Sequence, residues 1–334
     1  MNDMNDSIML EARNLVKHFP VSGSKNQVVH AVDGVSFQVK KGRTLGLVGE
    51  SGCGKSSCAR TVIRIYEPTA GQIFLDGQEI TNLSQRQLAP LRRNIQMVFQ
   101  DPYASLNARM TVREIINEPL RAHKVCSNAR EADEMIFEML DRVGLSREHA
   151  NRYAHEFSGG QRQRVGIARA LILHPKVVIC DEPISALDVS IQAQVVNLLK
   201  EFQEEEEITY LFIAHDLSMV RYVSDDVGVM YLGKLVELSE SNEIYEHPLH
   251  PYTQGLLAAI PIPDPKAARA KTVSSIEGDI PSPISPPSGC RFHTRCPHAT
   301  PLCSRVEPVM ADVGGGHQVA CHLYPQCTPG DSKE

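Results

Sequence analysis

A short apolar strand that runs straight into a glycine-lysine loop constrains this chain more than any other feature. Thr44 to Val48 reads as a buried strand, and Gly49-Glu50-Ser51-Gly52-Cys53-Gly54-Lys55-Ser56 follows it without a break, in the pattern G-x-x-x-x-G-K-[ST]. Glycines let successive backbone N–H groups turn inward around an anion, and the helix that follows adds its positive end. Lys55 is placed to reach the β- and γ-phosphates of a nucleotide, and the Ser56 hydroxyl suits Mg²⁺. A glycine-rich turn that binds nothing requires neither the lysine nor the strand before it. Strand, loop and helix in that order demand an α/β fold.

The remainder of the first 245 residues agrees. Ile95 to Phe99, Val177 to Cys180 and Tyr210 to Ile213 are further strand-sized apolar runs, alternating with helical periodicity, the pattern of a largely parallel sheet. Met135, Ile136, Met139, Leu140 and Val143 recur at helical spacing and stop at Gly144, a C-terminal cap. Gln161 to Leu173 reads as a second helix, closed by His174-Pro175. Ile191, Val195, Leu198, Leu199 and Phe202 mark a third, ending in Glu204 to Glu207, which reads as a solvated helix end. No apolar run approaches the roughly 20 residues a bilayer requires. Met1 to Ser7 is too polar for a secretory signal. The net charge of −6 gives no basic field for nucleic acid. A cytosolic setting with reduced thiols follows as the expectation.

Two more elements carry chemistry. Val177-Val178-Ile179-Cys180 ends on Asp181-Glu182. Asp181 is suited to the hydration shell of Mg²⁺, and Glu182 to polarising an attacking water as general base. Phe157-Ser158-Gly159-Gly160-Gln161 opens the helix that runs to Leu173. Its serine and glycine N–H groups at a helix start form a second anion site, 100 residues past the first.

At this point the chain resembles the nucleotide-binding subunits of ATP-binding cassette (ABC) transporters, and Phe157 to Gln161 resembles their LSGGQ signature with Phe157 in place of Leu. The resemblance implies a phosphate-loop NTPase fold with a RecA-like core, an antiparallel β subdomain and a helical signature subdomain. It implies ATP and Mg²⁺ as ligands. The nucleotide would be held by Gly49, Ser51, Gly52, Cys53, Gly54, Lys55, Ser56 and Ser57, with Phe19 stacked on adenine. Gln100 matches the Q-loop glutamine and His215 the switch histidine, which with Glu182 form the catalytic set. Ser56, Gln100 and Asp181 would hold Mg²⁺. Ser185-Ala186-Leu187-Asp188 matches the D-loop. In this family Ser158, Gly159, Gly160, Gln161 and Asp188 act in trans, on ATP held by another cassette. One copy of each motif therefore supplies half of each site.

The C-terminal third narrows the resemblance. Glu246-His247-Pro248-Leu249-His250-Pro251-Tyr252-Thr253 and Gly289-Cys290-Arg291-Phe292-His293-Thr294-Arg295-Cys296-Pro297 resemble segments of ATPases from dipeptide, oligopeptide and nickel importers, most nearly the second ATPase of the dipeptide importers. The division expected is a nucleotide-binding domain over 8–255, a Pro-rich linker over 256–289 and a small Cys-rich extension over 290–334. The partners implied are a second, paralogous ATPase, two transmembrane permease subunits and an external peptide-binding protein, with this subunit peripheral on the cytoplasmic face of the membrane. Nickel or haem as cargo is the alternative within the same machinery.

Five of the nine cysteines lie in the last 45 residues. Cys290, Cys296, Cys303 and Cys321 supply four thiolates, a set that suits a [4Fe–4S] cluster or Zn²⁺, with unliganded thiols as the third reading; the lack of C-x-x-C knuckles favours the cluster over zinc. Cys327 is left over, and His293, His298 and His322 read as solvent-facing loop residues. A soluble cassette ATPase of the DNA-repair, chromosome or ribosome type is the competing reading. Only 101 residues separate Ser56 from Ser158, without heptads, which leaves no room for the long coiled coil of the repair types. A regulatory phosphate-binding module without turnover conflicts with Glu182 and His215.

Overall fold

The computed structural model describes residues 7–24, 27–185, 187–260 and 276–329. The elements in chain order are β1 (Ile8–Pro20), β2 (Val28–Lys40), β3 (Thr44–Val48), α1 (Lys55–Val62), β4 (Ala70–Leu75), β5 (Gln78–Glu79), α2 (Gln85–Leu91), β6 (Ile95–Val98), α3 (Pro102–Ser105), α4 (Val112–Ala122), α5 (Ala129–Arg142) and α6 (Gly159–Leu171). Then come β7 (Val177–Asp181), α7 (Val189–Glu206), β8 (Thr209–Ile213), α8 (Leu217–Val223), β9 (Asp226–Tyr231), β10 (Lys234–Glu240), α9 (Ser241–Glu246), α10 (Pro251–Ala258), β11 (Ala311–Asp312) and β12 (Gln318–Val319). No helix among the described residues is long and apolar enough to cross a membrane.

The described residues fall into two compact units. The first takes in residues up to 11, 38–44 and 73–214. Within it β6, β7 and β8 run parallel, with Ile95 opposite Val177 and Val177 opposite Thr209. Every residue of β7 and β8 is buried, so these strands read as continuous apolar runs rather than alternating ones. Helices α2 to α7 belong to the same unit. α4 opens on a Thr111–Glu114 capping box and α5 on Asn128, whose side chain accepts the Glu131 N–H. α5 stops where expected, with Gly144 in the left-handed region at φ 70°.

The second unit takes in 12–37, 45–72 and the described residues from 215 onward. Here β3 pairs parallel with β9, and β9 turns back into antiparallel β10. β12 adds to β10 with Val319 opposite Glu237, and β11 adds to β12. The C-terminal third thus joins the sheet that carries the phosphate-loop strand. Pro261, Pro263 and Pro265 of the expected linker lie outside the described residues, as do Ala186 of the D-loop and the first six residues. Residues 276–287 have no helix or strand, yet they are held in place: the His30 N–H donates to the Pro283 carbonyl at 2.9 Å.

One expectation is corrected here. Glu204 to Glu207 is not a purely solvated helix end. Arg142 bonds both Glu205 and Glu206, His174 bonds Glu206 at 2.9 Å and Lys41 reaches Glu207 at 2.6 Å. Glu206 is partly buried, which pushes its carboxyl up, but the bonds from Arg142 and His174 prevail and hold it below its ordinary value.

Candidate nucleotide-binding and catalytic site

The phosphate loop lies in the second unit, between β3 and α1. Its backbone admits only glycine at two points. Gly49 has φ 147°, and a Cβ there would sit 2.2 Å from the Met230 carbonyl oxygen. Gly54 has φ 109°, and its Cβ would meet the Ala31 carbonyl oxygen at 2.0 Å. Lys55 is 4% exposed, and its ammonium donates to the carbonyls of Gly49 at 2.8 Å and Glu50 at 3.1 Å. The lysine thus spans the loop it belongs to. Ser51 and Gly52 form the exposed crest, while Cys53 is buried beneath and its carbonyl accepts the Gly233 N–H. Ser56 and Ser57 lie on the first turn of α1, half-buried.

Phe19 and His215 belong to the same unit. Phe19, at the end of β1, is half-buried and meets Tyr66 edge-on at 5.2 Å, with the Lys17 ammonium 4.8 Å from its ring centre. His215 is exposed, one residue before Asp216, which caps α8 through the Ser218 N–H at 2.8 Å.

The acidic pair lies in the first unit. Asp181 is fully buried at the end of β7. Glu182 follows in a left-handed conformation, φ 47°, with its N–H donating to the Ile213 carbonyl. That turn swings its carboxylate out of the strand line, where the Gln100 amide nitrogen donates to it at 2.7 Å. The two residues were 82 positions apart in the sequence and are joined here by the parallel pairing of β6 with β7.

Signature and D-loop also meet in this unit. Ser158 is the N-cap of α6, which begins at Gly159, two residues before the expected helix start, because Ser158 and Gln161 close a reciprocal capping box. Gly160 lies against α7: a Cβ there would meet Ile191 at 2.6 Å. Gly159 faces Leu187 of the D-loop segment. Asp188 is exposed at the start of α7, and Gln192 bonds the carbonyls of Ile184 and Leu187, which fixes the loop between them. Phe157, where Leu is usual, is buried with its ring edge-on to His149.

In the tail, Cys290, Cys296, Cys303 and Cys321 line one small cavity together with His250 and Phe292. Desolvation pushes the Cys290 thiol up to about 12 and Cys321 up to about 11, and raises Cys296. Cys327 is buried and donates to the Val319 carbonyl, a core residue. The histidines need correction: His322 bonds Thr328 and the Val306 carbonyl, and His293 bonds the Cys290 carbonyl, both partly buried, while His298 alone is exposed.

Three features had no local signal in the sequence. Tyr252 donates no cap but accepts: its hydroxyl takes the Glu50 N–H at 2.8 Å. Arg295 forms a two-pronged pair with Glu50. His18, His30 and Asp33 form a trio with metal-ligand spacing, although Arg291 and Lys234 already compensate the Asp33 charge.

A second glycine-rich helix start, lacking a lysine of its own, distinguishes ATP-binding cassettes among phosphate-loop proteins, and this chain has one. Residues 32–185 match the ABC transporter family, and residues 236–303 match the C-terminal region of oligopeptide/dipeptide transporters. The oligopeptide transport ATP-binding protein AppF of Bacillus subtilis (strain 168) is 55% identical, over 97% of this chain and 100% of the relative. The oligopeptide transport ATP-binding protein OppF of Escherichia coli (strain K12) is 51% identical, over 94% and 96%. Among solved structures, the dimeric ATP-binding cassette MJ0796 in a post-hydrolysis state with ADP and Pi superposes with TM-score 0.64 at 27% identity, over 70% of this chain and 99% of that one. CbiO1 from Clostridium perfringens, part of the ABC transporter complex CbiONQ, gives 0.63 at 28%, over 72% and 92%.

The chain is an ABC-type ATPase. It belongs to the ATP-binding proteins of the oligopeptide/dipeptide transporter family.

Proposed function

We propose that this chain hydrolyses ATP to drive import of short peptides through partner membrane subunits. What carries the reading is that the cassette and the peptide-transporter C-terminal region lie on one chain, 55% identical to an oligopeptide transport protein over 97% of its length. Gly49 to Ser57 and Phe19 hold MgATP, with Ser56, Asp181 and Gln100 on the metal side. Glu182 takes a proton from the attacking water, His215 orients that water, and Gln100, already 2.7 Å from Glu182, senses the site. Ser158, Gly159, Gly160, Gln161 and Asp188 complete the nucleotide site of a second, paralogous ATPase. Two permease subunits and an external binding protein are the further partners, engaged from the cytoplasmic face through the region Gln100 to Glu118. Residues 8–255 act as the nucleotide-binding domain, 256–289 as linker and 290–334 as extension.

Glu182→Gln keeps the hydrogen bond from Gln100 geometrically feasible but removes the base. Phosphate release is expected to fall by at least about a hundredfold, with ATP still bound and ATP-locked dimers persisting on gel filtration. Normal turnover in that variant rejects the catalytic assignment. Uptake of labelled peptides in a strain lacking the gene tests the cargo; a defect confined to nickel or haem rejects it.

For the tail, the reading is a [4Fe–4S] cluster held by Cys290, Cys296, Cys303 and Cys321. The donor set supports it: four sulfurs converge on one cavity, beside a fully buried His250 whose Nε2 has no partner among the described residues. Such a cluster would stabilise the thiolates of Cys290, Cys296 and Cys321, which burial alone disfavours. Iron and acid-labile sulfide after anaerobic purification, at about four of each per chain, are the expected analysis. Zinc in their place overturns it.

A further inference from the structure

The phosphate loop contains a charge of the wrong sign. Glu50 is the second residue of a loop built to hold a triphosphate, and its carboxylate is only 25% exposed. A negative charge so close to bound phosphates opposes binding unless something cancels it. The cancelling group comes from far along the chain. Arg295 Nη1 donates to Glu50 Oε2 at 2.8 Å and Nη2 donates to Oε1 at 3.0 Å, the two-pronged geometry that arginine gives to a carboxylate.

Arg295 is itself held. Its side chain is 5% exposed, Nη1 lies 3.4 Å from the Tyr231 hydroxyl, and Nε donates to the Glu277 carbonyl at 3.4 Å. The rest of Glu50 is equally tied. Its N–H donates to the hydroxyl of Tyr252, a residue with no exposed surface, and its carbonyl accepts from Lys55. One loop residue is therefore fixed at side chain, N–H and carbonyl, two of the three from beyond residue 250.

We infer that Arg295 is a positioning residue for ATP: by pairing with Glu50 it removes a repulsive charge from the phosphate loop and sets the loop's first turn, which makes nucleotide affinity depend on the C-terminal segment. The inference rests on the phosphate-loop reading above, and Lys55→Ala separates the two. If Lys55→Ala binds ATP normally, that reading fails; if it does not bind and Arg295→Gln does, only the role of Arg295 fails.

The test is calorimetric titration of the full-length chain with MgATP. Arg295→Gln leaves Glu50 uncompensated, and the dissociation constant is expected to rise about tenfold, the effect of one partly screened, uncompensated charge in the phosphate loop. Glu50→Gln combined with Arg295→Gln removes both charges and should recover affinity to within about threefold of the parent. A purely structural Arg295 would not be rescued by a change at Glu50. Affinity in Arg295→Gln within twofold of the parent, or a double variant as weak as the single one, overturns the inference. Where Arg295→Gln does not fold, the double variant decides: folded with near-parental affinity, it supports the pairing; unfolded, or folded and about tenfold weak, it overturns it.

Discussion

Two helices of this chain begin at a glycine-rich turn, and they treat their first N–H groups in opposite ways. α1 starts behind Gly54, which has no side chain to cap it, and Lys55 stands at its first position. α6 starts behind Ser158, whose hydroxyl accepts the Gln161 N–H while the Gln161 amide oxygen accepts the Ser158 N–H. Near α1 the lysine is committed to the loop. Near α6 the available cation, Arg162, is turned away: it bonds the Ala154 and His155 carbonyls and stacks on Tyr103. A helix start of the first kind offers bare donors and a positive charge, enough to hold a polyphosphate by itself. One of the second kind has its Ser158 and Gln161 N–H groups already taken, which leaves fewer donors for an anion. The difference agrees with the proposal that the α6 start serves nucleotide held by a second cassette.

The comparison breaks if both starts bind nucleotide alike. Lys55→Ala should weaken MgATP binding to the isolated chain roughly a thousandfold, since it removes charge-assisted bonds to two phosphates. Ser158→Ala should leave that affinity within about twofold, yet lower phosphate release from the assembled ATPase pair roughly a hundredfold. Weakened ATP binding by the isolated Ser158→Ala chain would show that α6 acts on its own nucleotide and would dissolve the contrast.

A third helix start sharpens it through pH. α10 is capped by His250, whose Nδ1 accepts the Tyr252 N–H at 3.1 Å, so the ring must stay neutral at that nitrogen. Burial pushes the His250 pKa down to about 4. The unfolded chain takes up this proton near pH 6.5, so the cap's contribution is complete above that value, declines as pH falls toward 4 and is level below. The loss is of order 3 kcal/mol. Urea unfolding across that range should show it, and His250→Asn, which keeps a capping acceptor but does not titrate, should remove it. An identical pH slope in both proteins discards the cap as its cause.

Local signals located most of the machinery. β3, β7 and β8 are apolar runs of strand length because both faces are buried, and α5 is periodic because one face is. Gly49 and Gly54 announce themselves because backbone geometry leaves no other choice, and Lys55 because it follows Gly54 directly. The start of α6 was displaced by two residues because glycines read as loop, whereas the Ser158 cap extends the helix through them. What stayed hidden depends on pairs far apart. Glu50 with Arg295 and Arg142 with Glu206 are joined by topology, and neither partner's immediate neighbours disclose the other. The acidic run at the end of α7 looked solvated for the same reason.

Phe292 is 1% exposed, edge-on to Tyr231 at 5.2 Å and close to Tyr252 at 5.3 Å and His250 at 5.7 Å. Burying such a ring is worth about 2–3 kcal/mol, and the hole it would leave costs more. The same two tyrosines hold Glu50 and Arg295. Anyone building chimaeras from this chain meets the consequence directly: a cassette spliced at residue 255 onto a foreign tail inherits an unmatched aromatic socket and a stray carboxylate in its nucleotide loop. The transplantable part is the loop together with the segment that closes over it.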